Sequence, residues 1–331
     1  MTVQSRKTLR SFVLATFFWV FASPISASEK VTFNMSWLPQ GSQSGFLVAN
    51  AKGFYSDVGL EVTIYQGYGG QRTVNEVAQG MFDFGYGDPL SVFLNRVNGG
   101  NTLYISAISN SNAGAICYLK GDRDLTLADL AGKSVGAGAT SVMQNVIPIW
   151  LELNKLPRNY LKVLRVSPGV VNTSLLEGKI DLADCWEGNS LPLLVEQAAQ
   201  AGKKIGVIRY RESGYDTYGG GIVASEEFLK KRPQIAGKFI EASFKGFDAA
   251  FAAPDEAADL ILKQYPTLQK SILIAQIKEV AAIFDRKQLA LDMNRGDIQP
   301  SRIQESLILF RRMFNTGENI KPSDIYRNIE R

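Results

Sequence analysis

The sequence predicts an α/β protein of two lobes with a helical C-terminal region, and three observations carry that expectation. Strand and helix patterns alternate from residue 31 to about residue 186. A helix–glycine–aspartate–strand pattern occurs once in each half of that stretch: Val77-Ala78-Gln79-Gly80-Met81-Phe82-Asp83 is echoed by Leu175-Leu176-Glu177-Gly178-Lys179-Ile180-Asp181. Beyond residue 225 the chain reads as one helix after another. Such alternation implies largely parallel sheets flanked by helices. At about 100–200 residues per domain, a chain of 331 residues has room for two lobes.

In the first stretch, residues 31–35 alternate apolar and polar side chains as a strand, and 44–52 read as a helix stopped by Gly53. Residues 61–66 form a strand with Val62 and Ile64 on one face; 72–79 form a helix closed by Gly80, and 82–86 a strand. Asp88-Pro89 opens another helix, with Asp as N-cap and Pro at the first helical position. In the second stretch, strands over 134–138, 163–166 and 181–186 alternate with helices over 141–153 and 172–177. Gly80 and Gly178 each supply a left-handed C-cap, and each following Asp starts the next strand. Residues 215–225 are rich in Gly and Tyr, and Gly219-Gly220-Gly221 is expected to flex as a hinge. Helices follow over 230–252, 255–264, 271–284 and 301–314. With no long linker, the lobes are close neighbours, one inserted into the other.

Residues 1–27 read as an export signal. Arg6, Lys7 and Arg10 precede an apolar run over 12–22, and Ile25-Ser26-Ala27 offers a cleavage point before Ser28. The run is too short to span a membrane, for which about 20 residues are needed; a retained anchor is the alternative. No Cys near the cleavage point is placed to carry a lipid, so a freely diffusing periplasmic protein is expected. Cys117 and Cys185 would then meet an oxidising compartment. Both lie in apolar, strand-like runs and are read as buried free thiols, with a disulfide as the alternative.

Composition narrows the function. With 45% hydrophobic and 21% charged residues the chain is an ordinary globular one. A net charge of +4 is too small a bias to argue for nucleic acid. The complete absence of His removes Ser-His-Asp and Cys-His nucleophile pairs and His-ligated metal sites. Two cysteines leave no zinc ribbon or iron–sulfur cluster. No cofactor and no metal is expected.

Ligands of open α/β sheets bind beyond the carboxyl ends of the strands, so the loops there hold the candidates. The 37–45 loop carries Trp37, a flat face for stacking, and Gln43; a Trp packed beneath its own loop is the plainer use. Tyr68 stands within Gly67-Tyr68-Gly69-Gly70-Gln71, where glycines let backbone approach a ligand. Asp88 places a carboxylate at a helix start, where capping alone would also explain it. Ser109 and Asn110 belong to a run of small hydrogen-bonding residues. Thr140 and Ser141 join a strand to a helix whose free N–H groups suit an anion or a carbonyl. Their loop lacks the third Gly of the dinucleotide fingerprint and the Lys of a P-loop. Trp186 and Glu187 follow a strand, and Tyr215, Asp216 and Tyr218 lie at the expected hinge. Together these loops offer five aromatic rings, three acids and few cations, suited to a flat ligand that is neutral or carries donors.

Trp37-Leu38-Pro39, Gly45-Phe46-Leu47-Val48-Ala49, Lys52-Gly53-Phe54-Tyr55, Val58-Gly59-Leu60-Glu61-Val62 and Gly80-Met81-Phe82-Asp83-Phe84-Gly85-Tyr86-Gly87-Asp88-Pro89 follow one another in an order that resembles the SsuA/THI5-like (NMT1/THI5-like) periplasmic solute-binding proteins of ABC importers. The resemblance runs from about residue 31 to about residue 265. It implies a type II periplasmic binding protein fold, with lobe I over 28–116 and 222–331 and lobe II over 117–221. The two crossings would fall near 116–119 and 219–223. It also implies a small-molecule solute, a membrane permease with its ATPase as partner, and a monomer that binds no nucleic acid. In the pyrimidine-binding members an aromatic residue matches Trp37 and a carboxylate lies near Glu187. Those members often have a His in the first loop, where Gln43 stands here. The related eukaryotic pyrimidine synthases use a His and lysine-bound pyridoxal phosphate, so a chain without His is not expected to catalyse that reaction.

The function expected is capture of a planar heteroaromatic solute, pyrimidine- or flavin-like, without catalysis. In that expectation Trp37 and Trp186 edge the ring, while Asp88 and Glu187 accept hydrogen bonds from its substituents. An aliphatic sulfonate or taurine-type solute is the alternative within the class. A secreted hydrolase using Asp88 and Glu187 is the alternative outside it.

Overall fold

Apart from Met1, the computed structural model describes residues 28–138, 141–284 and 293–331. The segment read as an export signal, Met1 aside, and Thr140 lie outside the described residues. Four strands, β1 (Glu29–Asn34), β2 (Leu60–Tyr65), β3 (Phe84–Gly87) and β4 (Thr102–Ala107), come first along the chain. The next five, β5 (Gly114–Leu119), β6 (Ser134–Gly138), β7 (Lys162–Val166), β8 (Leu182–Trp186) and β9 (Ile205–Arg209), form a separate sheet in the order β7-β6-β8-β5-β9. Then β10 (Gly221–Ser225) returns to the first sheet, giving the order β2-β1-β3-β10-β4. Each sheet thus has one strand antiparallel to its neighbours, set in the fourth place: β10 in the first and β5 in the second. These are the strands that follow each crossing. The architecture is the two-lobed α/β fold expected from the sequence.

Helices α1 (Ser44–Ala51), α2 (Phe54–Asp57), α3 (Gly70–Ala78) and α4 (Pro89–Val97) flank the first sheet; α5 (Met143–Leu153), α6 (Val171–Leu176) and α7 (Ser190–Gln200) flank the second. The tail is α8 (Glu226–Lys231), α9 (Pro233–Ala252), α10 (Pro254–Gln264), α11 (Lys270–Phe284) and α12 (Pro300–Phe314). The single helix expected over 230–252 is two. Pro233 has no amide hydrogen with which to continue α8, and it starts α9 instead, where none is needed. No described helix is long and apolar enough to cross a membrane.

The sequence echo is a structural echo. Gly80 and Gly178 close α3 and α6 at φ 73° and 71°, the left-handed region that a Cβ disfavours. Asp83 Oδ2 accepts the Thr32 amide at 2.8 Å and its hydroxyl at 3.1 Å, and the same hydroxyl accepts the Asp83 amide at 3.0 Å. Asp181 repeats this on Ser134, with 2.8, 2.6 and 3.0 Å. Each aspartate ties the start of a central strand to its parallel neighbour and so fixes the register that follows, Phe33 beside Phe84 and Val135 beside Leu182.

Two expectations are corrected. The first crossing is not at 116–119, because Gly114–Leu119 is already an inner strand of the second sheet, paired on both sides; the chain crosses over 108–113. The cysteines are not free thiols. In the antiparallel pair of β5 and β8, Cys117 stands opposite Ala183 and Cys185 opposite Ala115, which makes the two cysteines diagonal neighbours on one face. Their Cα atoms are 5.9 Å apart and the sulfurs are bonded. Gly219, Gly220 and Gly221, in the expected hinge, also allow close packing. A Cβ on Gly219 would meet Ser111 O at 2.7 Å, on Gly220 the Tyr86 hydroxyl at 2.1 Å, and on Gly221 Ser106 O at 2.2 Å. The two crossings pair with each other: Ser109 N–H donates to Gly220 O at 2.9 Å and Gly219 N–H to Ser109 O at 3.0 Å.

Candidate functional site

Between the two sheets lies a cavity of about 650 Å³, within the range of small-molecule sites. Its first wall comes from the loop after β1 and the end of β3, with Trp37, Gln40, Gln43, Tyr86 and Asp88; its second comes from β8 and the start of α5, with Ser141, Asp184, Trp186 and Glu187. The crossing segments supply Ser109, Asn112, Tyr215 and Tyr218, and α11 adds Gln276. Three rings here are phenols. Burial holds Tyr86 and Tyr215 protonated by raising both well above the usual tyrosine range.

The Trp37 loop is held in shape locally. Ser36 takes a left-handed φ of 62°, and its amide donates to Asn34 Oδ1 at 2.9 Å. The glycines of the 67–70 loop abut this turn: Gly67 N–H donates to Trp37 O at 3.2 Å and Gly69 N–H to Ser36 O at 2.8 Å. A Cβ on Gly67 would lie 2.4 Å from Asn34 Oδ1. These glycines therefore let one loop approach the other. Gln43 is buried beneath, its amide donating to Met35 O at 3.3 Å.

The charged groups fall into distinct states. Asp88 caps α4, accepting the Ser91 amide at 2.9 Å and the Ser91 hydroxyl at 2.8 Å; burial nevertheless raises its pKa. Glu187 Oε1 accepts from Arg209 Nε at 2.6 Å and from Arg211 Nη2 at 2.9 Å, and its Oε2 is paired with Arg211 Nη1. Burial works to raise its pKa, but the two guanidinium groups outweigh this and hold it below the usual glutamate range. Arginines from the end of β9 and the turn after it thus engage both oxygens of Glu187, which was expected to face ring substituents without such partners. Asp184 accepts the Ser141 hydroxyl at 2.6 Å through Oδ2, and Oδ1 has no close hydrogen-bond partner among the described residues. Burial raises its pKa to about 6.

Of the residues expected from the sequence, Trp37, Gln43, Asp88, Ser109, Ser141, Trp186, Glu187, Tyr215 and Tyr218 line the cavity. Tyr68 does not. It is 55% exposed, with the Arg72 guanidinium 5.3 Å from its ring centre. Asn110 and Asp216 are also absent from the lining; Asp216 Oδ1 accepts the Asn112 amide at 3.3 Å in the first crossing. Thr140 is outside the described residues. Sequence reasoning missed Asp184, although a signal existed: in the strand Leu182–Trp186 it shares a face with Trp186 by the two-residue period. It also missed Gln276, for which no local signal exists. The Gln276 amide spans the two walls, accepting the Gly41 amide at 3.0 Å and donating to Asn189 O at 2.7 Å. One turn on, Glu279 accepts the Gly188 amide at 2.7 Å.

Comparison with known proteins agrees with this arrangement. The family model described as NMT1/THI5 like matches residues 40–257. The 4-amino-5-hydroxymethyl-2-methylpyrimidine phosphate synthase THI13 of Saccharomyces cerevisiae is 22% identical over 266 residues, 78% of each chain. The riboflavin-binding protein RibY of Chloroflexus aurantiacus is 26% identical over 254 residues, 75% of this chain and 70% of that one. Among solved structures, the periplasmic aliphatic sulphonate binding protein SsuA from Escherichia coli has the same fold, with a TM-score of 0.69 at 14% identity, over 92% of this chain and 99% of its own.

Proposed function

The chain belongs to the NMT1/THI5-like family, and on that premise we propose that it is the solute-capturing component of an ABC importer, working in the periplasm on a planar heteroaromatic solute. The observation that carries this reading is the lining of the cavity: Trp37, Tyr86, Trp186, Tyr215 and Tyr218 contribute rings, and no Lys or Arg is among the described lining residues. A flat ring is bound by stacking and edge contacts on such walls. A sulfonate would have to leave the water that solvates its charge for a site with acids and no lining cation. RibY is named for riboflavin and THI13 for a pyrimidine phosphate, both built on planar rings.

The protein binds its solute and releases it unchanged. An acid–base pair would need two available carboxyl groups, yet Asp88 is occupied as a helix cap and Glu187 by two arginines. His, which the chain lacks entirely, is not there to substitute. Binding to one wall and closure by the other shifts the population toward the shut form. That form, a monomer, is what the permease and its ATPase would meet.

Tryptophan fluorescence titration with riboflavin, 4-amino-5-hydroxymethyl-2-methylpyrimidine and taurine tests this. A planar ring should quench the signal while taurine leaves it unchanged. Trp37→Ala and Trp186→Ala should each weaken the ring's binding by about tenfold. A response to taurine alone overturns the proposal.

A further inference from the structure

Three carboxylates line the cavity among the described residues, and they differ in what is left to them. Asp88 gives one oxygen to the Ser91 amide and the other to its hydroxyl. Glu187 is enclosed by Arg209 and Arg211. Asp184 is 7% exposed, has one oxygen on the Ser141 hydroxyl, and holds the other without a close hydrogen-bond partner among the described residues. Its neighbours on that face of β8 are Leu182 and Trp186, and Ile116 stands beside it on β5; the Trp186 indole N–H, the Gly138 amide and the Ser141 hydroxyl offset its burial only in part. On the facing wall, the Gln40 Oε1 is a second buried acceptor with no partner. Buried acceptors are almost always met by a donor, and one left unmet weighs against the fold.

We propose, resting on the receptor reading above, that Asp184 is the residue that selects the solute: it accepts a hydrogen bond from an N–H group, neutral or protonated, on the edge of the planar ring. The solute class is therefore a nitrogen heterocycle with a donor on its edge, and a ring presenting only acceptors or methyl groups there is refused. Trp186 lies two residues along the same strand face, so a ring against its indole brings its edge toward the carboxylate. The elevated pKa of about 6 fits a carboxyl that burial has deprived of a charge partner.

The test uses matched rings and the full mature chain. Isothermal titration with 4-aminoquinazoline and 4-methylquinazoline, and with riboflavin and 3-methylriboflavin, isolates the donor in each pair. In the wild type at least one pair should favour the donor by about tenfold or more, as a hydrogen bond to a charged group supplies. Asp184→Leu, which removes the acceptor at similar volume, should bring that ratio to within about threefold while the methyl compound binds as before. Asp184→Asn should fall between the two, and it serves alone where the Leu variant fails to fold, as thermal melting reports. Wild-type discrimination kept in Asp184→Asn overturns the assignment, as does binding that ignores the exchange in the wild type. Silence of all four probes overturns the planar-solute reading, and the assignment with it.

Discussion

In the first lobe, Phe239 of α9 is fully buried against the sheet. It lies 4.4 Å from the ring of Phe84 and 5.1 Å from that of Tyr55, nearly parallel to both, with Phe33 at 5.4 Å. Among the described residues, the face of the second sheet that carries the disulfide has no such stack. Its core there is Ala115, Cys117, Val171, Leu175, Ile180, Ala183, Cys185, Leu191 and Leu194, aliphatic side chains around a disulfide. The strand order is nevertheless the same, and so is the aspartate clasp. Winding is thus encoded by local signals shared between lobes, while cohesion comes from different sources: aromatic area brought by the helical tail in one, a covalent link in the other.

The largest expected effect tests the aromatic side of this contrast. Phe239→Ala should cost about 3–5 kcal/mol, the range for a buried Phe reduced to Ala, read as a shift in urea unfolding. Removing the disulfide with Cys117→Ala and Cys185→Ala should cost about 2–4 kcal/mol, and hydrogen exchange should quicken in β5 and β8 before β1 and β3. An equal response in both sheets would break the comparison.

Asp184 should show a gain instead. Its carboxyl ionises near 3.8 in the unfolded chain and at about 6 in the fold, so the folded state holds the extra proton between those values. Stability then falls as pH rises through that window, and the loss is complete above it. The neighbouring Tyr210 stays protonated throughout, because burial raises it further. Asp184→Asn should therefore stabilise by about 1–3 kcal/mol at pH 7.5 and by nothing at pH 4, seen as melting temperatures at the two values. The smallest effect is the sharpest comparison: Asp83→Ala and Asp181→Ala should each cost about 1 kcal/mol, and unfolding midpoints that differ widely would mean that the echoed clasps are not equivalent.

What the sequence made legible follows from the range of each interaction. Gly80 and Gly178 act at the helix ends where they stand and Asp83 and Asp181 at the strand starts, so those places were readable from spacing, whereas the partners of the two aspartates, 51 and 47 residues away, were not. The disulfide was not, because it depends on β5 inserting antiparallel beside β8, a pairing across 68 residues. Trp37, Asp88 and Trp186 were found since loops after strands face the cleft. Glu187 was found but its state was misjudged, because Arg209 and Arg211 reach it from another strand end. Tyr68 was misplaced since its glycines serve a neighbouring loop, and alternation alone cannot say which neighbour a glycine admits.

Helix α11 packs into the core of the first lobe through Leu273, Ile277, Val280 and Phe284, and it is bonded to both sides of the cleft through Gln276 and to the second again through Glu279. A wall that swings away must leave a donor or an acceptor of one amide behind, and water regains only part of what is lost. The gap therefore has a favoured width rather than a continuous play, gauged by a rod seated in one plate and reaching across to the other.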